Sequence, residues 1–428
     1  MKTASDLMLT LKSEEGMERL ARLYGTQNGK MAHQLERYLL LLKRHADLFG
    51  REEAPLVISA PGRTELCGNH TDHNNGLVMA AAVNLDTVAA VNRRGDMLVN
   101  LYSEGFAPVR IDLSDLAPVA EEQGKPASVI RGVANKLHEM GLTIGGFDAS
   151  ATSNVLTGSG LSSSAAFEVL IVAVFDALYN GMRVDAIRRA EISQYAENVY
   201  FGKPSGLMDQ MASSVGSLIN IDFKEPEKPV IRKVDADFAS FGHKLCIVDT
   251  KGSHADLTHE YAAIPEEMKQ IAGFFGKEVL RDVDEEELIR QIPALREKYG
   301  DRGVLRALHF KEDHKRAGEE ARALEKGDFE EFKRLITASG NSSFKYLQNV
   351  YPSSQPQSQN LSVGLAVSEL VLGDRGACRV HGGGFAGTIQ AFVPEDMVPA
   401  YRKAMDDLFG EGSCHVLQVR KYGGMKVL

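Results

Sequence analysis

Cysteine is scarce in this chain, and its four copies, Cys67, Cys246, Cys378 and Cys414, stand far apart. None forms a Cys-x-x-Cys pair, which argues against a zinc ribbon, and the spacing gives no sign of a disulfide framework. Sparse, scattered thiols are typical of proteins from compartments that keep cysteine reduced. We therefore expect a cytoplasmic protein.

The sequence also lacks long apolar runs and an excess of positive charge. No run of about 18 apolar residues stands out, so we expect no transmembrane helix. Acidic residues follow the first apolar stretch too soon for a signal peptide. The formal net charge of -9, from 49 basic and 58 acidic residues, excludes a general basic surface for nucleic acid. We expect small-molecule partners, with no nucleic acid and no membrane.

What the chain does contain is a mixture of helical and strand-like segments. Its 428 residues are too many for one simple core and favour two domains. The apolar run at 56–59 ends at Pro61-Gly62, a turn signal. The charged, proline-containing segment 224–232 is the predicted boundary. It divides the chain into an N-terminal domain, 1–225, and a C-terminal domain, 226–428.

A glycine- and serine-rich loop, residues 157–164, lies between a predicted strand and a long apolar helix. Free N–H groups at a helix N-terminus, preceded by glycines that permit close approach, make such a Gly/Ser loop a site for phosphate. The hydroxyls add a candidate Mg²⁺ ligand. A serine-rich helix cap fits the same residues. The chain has no Walker A motif, and the glycine loop at 382–387 precedes a strand-like run, which argues against a dinucleotide-binding domain.

Two further segments are rich in polar side chains. The first, which we call the polar segment, covers 61–76 and reads PGRTELCGNHTDHNNG. Its carboxylates, amides and arginine suit a polyhydroxy ligand. A surface turn is an alternative, and so is a metal site at His70, Asp72 and His73, although Gly68 stands where a metallohydrolase motif has its first histidine. In the second segment, 202–210, Asp209 is a candidate base or a plain helix cap.

Taken in order, these segments resemble the GHMP kinases, and among them the galactokinases. The opening pattern of that family is roughly G-R-x-N-x-I-G-E-H-T-D-Y-N-x-G, which aligns with GRTELCGNHTDHNNG. The family's G-L-S-S-S-A is intact from Gly160 to Ala165, and its G-x-M-D-Q from Gly206 to Gln210. Its C-terminal G-G-G-F-G-G appears as GGGFAG from Gly382. Four elements in one order cover residues 61–387.

The resemblance implies a two-domain α+β fold of the GHMP-kinase type with the active site between the domains. It implies an ATP-dependent kinase that uses Mg²⁺ and phosphorylates the anomeric hydroxyl of galactose. In such an enzyme Asp209 is the catalytic base and Arg63 polarises the reacting hydroxyl. The implied sugar-binding residues are Asn69, His70, Asp72 and Tyr261. The implied phosphate-binding residues are Gly158, Ser159, Gly160, Leu161, Ser162 and Ser163. The implied Mg²⁺ ligands are Ser164 and Glu197.

The chain departs from the family pattern mainly in the polar segment. Asn69 replaces a Glu, His73 replaces a Tyr, and Thr64-Glu65 replaces a pair of the Val-Asn type. Loss of the carboxylate at position 69 removes repulsion against an acidic sugar, so a uronic acid or a modified galactose is an alternative substrate. A galactokinase-like sensor without turnover is another. The presence of all four residues that the chemistry needs favours catalysis: Ser164, Glu197, Asp209 and Arg63.

Overall fold

The structure is a computed structural model that describes residues 3–26, 28–51, 53–156, 160–252 and 257–428. Helices and two β-sheets alternate along the described chain, which confirms the α+β class. The α-helices are α1 Ala4–Lys12, α2 Glu14–Tyr24, α3 Asn28–Phe49, α4 Pro126–Glu139, α5 Ser163–Phe175, α6 Ala186–Tyr195, α7 Met208–Val215, α8 Thr258–Phe274, α9 Glu285–Arg290, α10 Ile292–Glu325, α11 Phe329–Ser342, α12 Asn360–Leu372 and α13 Val398–Phe409. The strands are β1 Leu56–Cys67, β2 Leu77–Arg93, β3 Leu98–Ser103, β4 Val109–Asp112, β5 Phe147–Ser153, β6 Leu218–Asp222, β7 Val230–Val234, β8 His243–Asp249, β9 Ala377–Val380, β10 Thr388–Pro394, β11 Cys414–Leu417 and β12 Met425–Lys426.

The first sheet is organised around the long strand β2, in the order β12-β1-β2-β5-β3-β4, with β6 joined to β2 and β7 to β6. Alternate residues of β2 pack into two different apolar cores. Ala89 and Val91 pack against the helices α4 to α6 on one face, whereas Val88 and Ala90 pack against α1 to α3 on the other. A strand covered on both faces is apolar at nearly every position, which explains the apolar run in the sequence.

Strand β1 passes straight through Pro61-Gly62, so the predicted turn is wrong. Its pairing with β2 shifts register between Pro61 and Arg63 and again between Glu65 and Cys67. Proline is tolerated in a strand at such an irregularity because no ladder hydrogen bond is needed there. Bulges of this kind bend a strand and redirect its side chains. The two shifts enclose Arg63 and Glu65, the charged residues of this strand.

The second sheet is antiparallel and has the order β11-β8-β10-β9. Its central strand β8 again alternates between two cores. Cys246 and Val248 contact α12 and α13, while Leu245 and Ile247 pack toward α10, α11 and the first sheet. All four cysteines are buried. The second sheet thus adjoins the first through a shared apolar core.

The division of the chain between residues 225 and 226 stays a prediction. The strand pairing favours a different boundary. Val230–Val234 pairs with β6, and β12 returns to pair with β1. Both segments follow residue 226 but complete the first sheet. We therefore propose the two-domain division in an amended form, with the second domain beginning at β8 and the C-terminal strand returning to the first.

One helical stretch, Ser163–Asn180, has the length and composition to cross a membrane, with a mean hydropathy of 1.3. We expected no such run, but only Glu168 and Asp176 interrupt it with charge. Two thirds of the stretch, 67%, is buried inside the fold, where α5 lies in the apolar core beneath the first sheet. A buried core helix has the same composition as a membrane span.

Candidate functional site

Strand β1 lies in direct contact with the Gly/Ser loop. The amide of Arg63 donates to the carbonyl of Leu161 at 3.0 Å, and the Arg63 guanidinium donates to the carbonyl of Gly160. At Gly62 any Cβ would stand 2.8 Å from the Leu161 carbonyl oxygen. The glycine is therefore needed for close approach, and it fixes the position of Arg63 beside the loop.

Arg63 and Asp209 form a two-pronged ion pair at this contact. Arg63 Nε lies 2.7 Å from Asp209 Oδ1, and Arg63 Nη2 lies 2.6 Å from Oδ2. Ser162 Oγ donates a third hydrogen bond to Oδ2 at 2.6 Å. Burial disfavours the charged carboxylate, but the positive charge and hydrogen bonds of Arg63, together with Ser162, outweigh it and lower the pKa of Asp209. Asp209 is thus held ionised, with its side chain 30% exposed.

Asp209 lies in the first turn of α7, one residue inside the helix, whose cap position is Leu207. The positive end of the helix dipole favours a carboxylate at that position. Gly206, which precedes the helix, leaves room for Asp72, because a Cβ there would stand 2.3 Å from Asp72 Oδ2. Asp72 therefore lies beside the segment that carries the candidate base.

Ser162 has an unusual conformation at the start of α5. Its φ of 55° lies in the left-handed region, which is uncommon outside glycine and often marks a functional site. It occupies the cap position, yet it makes no capping hydrogen bond because its hydroxyl is directed to Asp209. The first N–H groups of α5 therefore receive no side-chain cap and remain available to an anion.

The structure describes four of the six predicted phosphate-binding residues. Gly160, Leu161, Ser162 and Ser163 lead into α5, and Leu161 is fully buried. Gly158 and Ser159 lie outside the described residues, so their predicted role stays a prediction.

The glycine loop closes against the polar segment through backbone carbonyls. Three successive carbonyls, those of Gly382–Gly384, each accept a hydrogen bond from a predicted sugar-binding side chain. The donors are Asn69 Nδ2, His70 Nε2 and Tyr261 OH, at 2.7, 2.9 and 2.8 Å respectively. Because a carbonyl only accepts, His70 must carry its proton on Nε2. The structure thus brings Asn69, His70 and Tyr261 to one loop.

Asn69, which the family resemblance implies as a sugar-binding residue, lies inside the protein. It is fully buried, and its amide group is occupied by protein partners. Nδ2 also donates to Glu65 Oε1 at 2.8 Å, and Oδ1 accepts from Asn349 Nδ2 at 2.6 Å. The predicted contact between Asn69 and the sugar does not fit this arrangement, since the side chain has neither exposed surface nor a free hydrogen-bonding group.

The alternative in which His70, Asp72 and His73 bind a metal receives no support. Among the residues that the structure describes, no group of three or more His, Cys, Asp or Glu side chains could hold a metal ion. His70 is bonded to a backbone carbonyl, and burial lowers its pKa to about 4. It is therefore a neutral hydrogen-bond donor.

Glu197 lies in a π-helical turn, Ala196–Phe201, and is almost completely buried. Its two carboxylate oxygens have several partners. Lys203 Nζ lies 3.0 Å from Oε1, and Gln210 Nε2 lies 2.8 Å from Oε2. Gln210 also donates to Glu168 at 2.9 Å, and burial, reinforced by the charge of Glu197, raises the pKa of Glu168. A second buried carboxyl group therefore adjoins Glu197.

Ser164, the other predicted Mg²⁺ ligand, is exposed in the first turn of α5. No hydrogen bond joins it to Glu197 in the described part of the chain. An exposed hydroxyl and a carboxylate are suitable oxygen ligands for Mg²⁺, which usually takes one or two protein ligands and completes its shell with phosphates and water. The donor set therefore fits a cation shared with a nucleotide.

Several residues of the site escaped the sequence prediction. Lys203 neutralises Glu197 and lies in the segment that we had considered only for Asp209. Asn349 bonds to Asn69 from 280 positions away along the chain. His381 contacts Thr64 at 2.9 Å, which ties β1 to the start of the glycine loop. Only Lys203 had a local signal, a charge placed between a glycine and a proline.

Known proteins resemble this chain over most of its length. The galactokinase galactose-binding signature matches residues 43–93, and the GHMP kinases N terminal domain matches residues 128–217. A galactokinase from Streptomyces coelicolor is 33% identical over 374 residues, which cover 86% of this chain and 92% of that protein.

Solved structures agree with the sequence comparison. Lactococcus lactis galactokinase complexed with galactose has a TM-score of 0.77 at 26% identity, and the match covers 91% of this chain and 99% of that one. Methanococcus jannaschii mevalonate kinase shares the fold, with a TM-score of 0.61 at 16% identity over 86% of this chain and 99% of its own. The resemblance drawn from the four sequence elements is thereby confirmed, and the chain belongs to the galactokinase family of the GHMP kinases.

Proposed function

We propose that this protein is a kinase that transfers the γ-phosphoryl group of ATP to the anomeric hydroxyl of galactose, giving galactose 1-phosphate and ADP. The contact of Asp209 with Arg63 and Ser162 carries the proposal most directly. It joins a candidate base, a fixed cation and the part of the Gly/Ser loop that leads into α5. The galactokinase relatives, one of them complexed with galactose, support the same substrate.

Asp209 suits the role of base because of its charge state and its surroundings. Its lowered pKa keeps it ionised, so it can accept a proton from the sugar hydroxyl. Phosphoryl transfer proceeds through a loose transition state, in which the nucleophile loses its proton late. A weakly basic carboxylate is then sufficient, and Arg63 stabilises the charge that develops beside it.

The nucleotide phosphates have a binding place at the N-terminus of α5. The uncapped N–H groups of its first turn, together with the flanking glycine Gly160, suit phosphate oxygens. We assign Mg²⁺ to Ser164 and Glu197, on the chemistry of their oxygen atoms. When bound there, the cation would neutralise charge on the phosphate oxygens.

The sugar would lie between the polar segment and the glycine loop. His70, Asp72 and Tyr261 are our proposed sugar ligands, since each lies near this boundary and keeps some exposure. Asn69 is buried next to these residues, and its hydrogen bonds to Gly382 and Asn349 help to position the glycine loop. This proposed sugar site joins β1, of the first sheet, to the glycine loop between β9 and β10 of the second sheet, and ligand sites are common between domains.

A substrate panel tests the proposal. Purified protein is incubated with MgATP and one sugar at a time, and ADP release is followed for galactose, glucose and galacturonic acid. We expect ADP release with galactose. Galactose binding without ADP release would instead identify a sensor, and release only with galacturonic acid would identify a sibling kinase.

A further inference from the structure

Two departures from the family pattern that look unrelated in the sequence are in contact in the structure. The pattern has Asn where this chain has Glu65, and Glu where it has Asn69. Asn69 Nδ2 donates to Glu65 Oε1 at 2.8 Å. Both side chains are buried, Glu65 being 5% exposed and Asn69 not at all. Relative to the family pattern the carboxylate and the amide have therefore exchanged positions, and in this chain they form one hydrogen-bonded pair.

The two members of the pair have different partners. Glu65 Oε1 lies 3.6 Å from Arg379 Nη2 on strand β9. Asn69 holds the carbonyl of Gly382 at 2.7 Å and accepts from Asn349 at 2.6 Å. The acid thus faces a cation of the second sheet, while the amide faces the glycine loop.

The chemistry of these partners explains why the order of the pair matters. A carboxylate only accepts hydrogen bonds, whereas an amide donates and accepts. The Gly382 carbonyl accepts from Asn69 Nδ2, and an ionised glutamate at position 69 could not supply that donor. We propose that Glu65 and Asn69 act as one exchanged acid–amide pair, and that this pair positions the glycine loop against the polar segment.

The inference rests on the proposed function and narrows its substrate. If the carboxylate had simply been lost, the cation Arg379 would be free to attract an acidic sugar. Instead Glu65 lies beside it, and the charges of Asp313 and Glu320 act on it as well. Arg379 is itself only 1% exposed. Arg379 therefore offers no exposed positive charge to an acidic sugar, and the pair is suited to a neutral sugar.

A double-mutant cycle tests the pair with four proteins: the natural chain, Glu65→Asn, Asn69→Glu and the double exchange. For each, kcat and KM are measured with galactose and with galacturonic acid, and thermal unfolding is recorded. Asn69→Glu places two buried carboxylates in contact, so we expect kcat/KM for galactose to fall about 100-fold or more. The double exchange should recover at least about tenfold of that loss.

The recovery should be incomplete in a defined way. Because the Gly382 carbonyl still lacks its donor, KM for galactose should stay raised several-fold in the double exchange, while kcat returns close to that of the natural chain. Galactose should be preferred over galacturonic acid by about 100-fold or more in the natural protein.

The outcomes that overturn the inference are separate from those that overturn the function. Additive losses, with the double exchange no better than Asn69→Glu in kcat/KM or in melting temperature, would show that the residues act independently. If Asn69→Glu does not fold, a folded double exchange is the expected rescue, and an unfolded one refutes the pair. A natural chain that never phosphorylates galactose would refute the function, while the unfolding cycle would still decide the pairing.

Discussion

At the scale of single residues, Asp209 is poised between opposing effects. Burial disfavours its charge, yet Arg63 and Ser162 keep the carboxylate ionised. The same contacts fix both of its oxygens, so the base needs little reorganisation when substrate arrives. Replacement by asparagine keeps the shape of the side chain and removes its ability to take a proton.

We predict that Asp209→Asn lowers kcat by roughly 10²–10⁴-fold, the usual effect of losing a general base. Galactose binding, measured by calorimetry, should largely survive. Ser162→Ala is the matched control, since it removes one hydrogen bond to Asp209 and leaves the carboxylate, with an expected loss of about tenfold. Near-normal turnover in Asp209→Asn would rule out its assignment as the base.

Glu65 makes a pH-dependent contribution whose sign can be worked out. Burial raises its pKa to about 7, with Asp72 acting in the same direction, against the opposing effects of Arg379, Asn69 and Arg63. The folded state therefore binds the proton of Glu65 more tightly than the unfolded chain does. The difference matters at pH values between the ordinary pKa of 4.5 and the raised pKa of about 7. The contribution of Glu65 to the free energy of unfolding must fall as pH rises through that window.

Urea unfolding of the natural chain and of Glu65→Gln at several pH values measures this contribution. From pH 4.5 to 7.5 we expect the natural chain to lose up to roughly 3 kcal/mol of unfolding free energy relative to the variant. Glu330→Gln, at a side chain that is 81% exposed, should leave the pH dependence nearly unchanged. A constant difference between the natural chain and Glu65→Gln would show that Glu65 ionises normally.

At the scale of elements, the site depends on how closely the glycine loop approaches its neighbours. A Cβ at Gly383 would stand 2.8 Å from a ring carbon of Tyr261, a proposed sugar ligand. Tyr261 also packs edge-on against Phe385, with ring centroids 5.2 Å apart. A side chain at position 383 must therefore displace Tyr261 or the loop.

We predict that Gly383→Ala raises KM for galactose about tenfold, the kinetic equivalent of a modest overpacking cost. Gly273→Ala serves as the control. It lies in α8, where an added Cβ would meet no atom within 4 Å beyond its chain neighbours and the backbone of its own helix, and alanine favours a helix. The control should leave KM for galactose unchanged. If Gly383→Ala also leaves KM unchanged, either Tyr261 does not bind the sugar or the glycine loop does not position Tyr261.

At the scale of the whole molecule, the C-terminal residues connect the two halves of the chain. After β11 the chain returns to the first sheet, where Arg420 reaches the buried carboxylate of Asp86 at 2.7 Å. Both side chains are fully buried. Arg37 from α3 contacts the other oxygen of Asp86 at 2.7 Å, so helix, sheet and C-terminus meet at a single carboxylate.

We predict that Arg420→Met lowers the free energy of unfolding by about 3 kcal/mol, because it leaves a buried charge with one cation instead of two. Arg375→Met is the matched control. It breaks an ion pair with Asp396 whose side chains are 54% and 65% exposed, and such pairs contribute about 0–1 kcal/mol. Equal effects of the two variants in urea unfolding would contradict a structural role for the Arg420 contact.

The sequence predicts the family and the α+β class because four short motifs are each local. The arrangement of the motifs relative to one another, in contrast, depends on contacts between residues far apart in the sequence. The contacts of Arg63 with Asp209 and of Asn69 with Asn349 join residues 146 and 280 positions apart, and no local periodicity encodes them. The turn at Pro61-Gly62 was wrong because two register shifts let the strand continue. The acidic-sugar hypothesis overlooked the contact between Glu65 and Asn69.

The proposed activity of this protein is phosphoryl transfer to the anomeric oxygen of galactose. Phosphorus NMR of a reaction with galactose and MgATP tests it in one measurement, since the position of the phosphate is read from its coupling to the sugar protons. We expect ATP to be replaced by ADP and by a sugar phosphate coupled to the anomeric proton. Unchanged ATP, or a phosphate coupled to protons at another carbon, would contradict it.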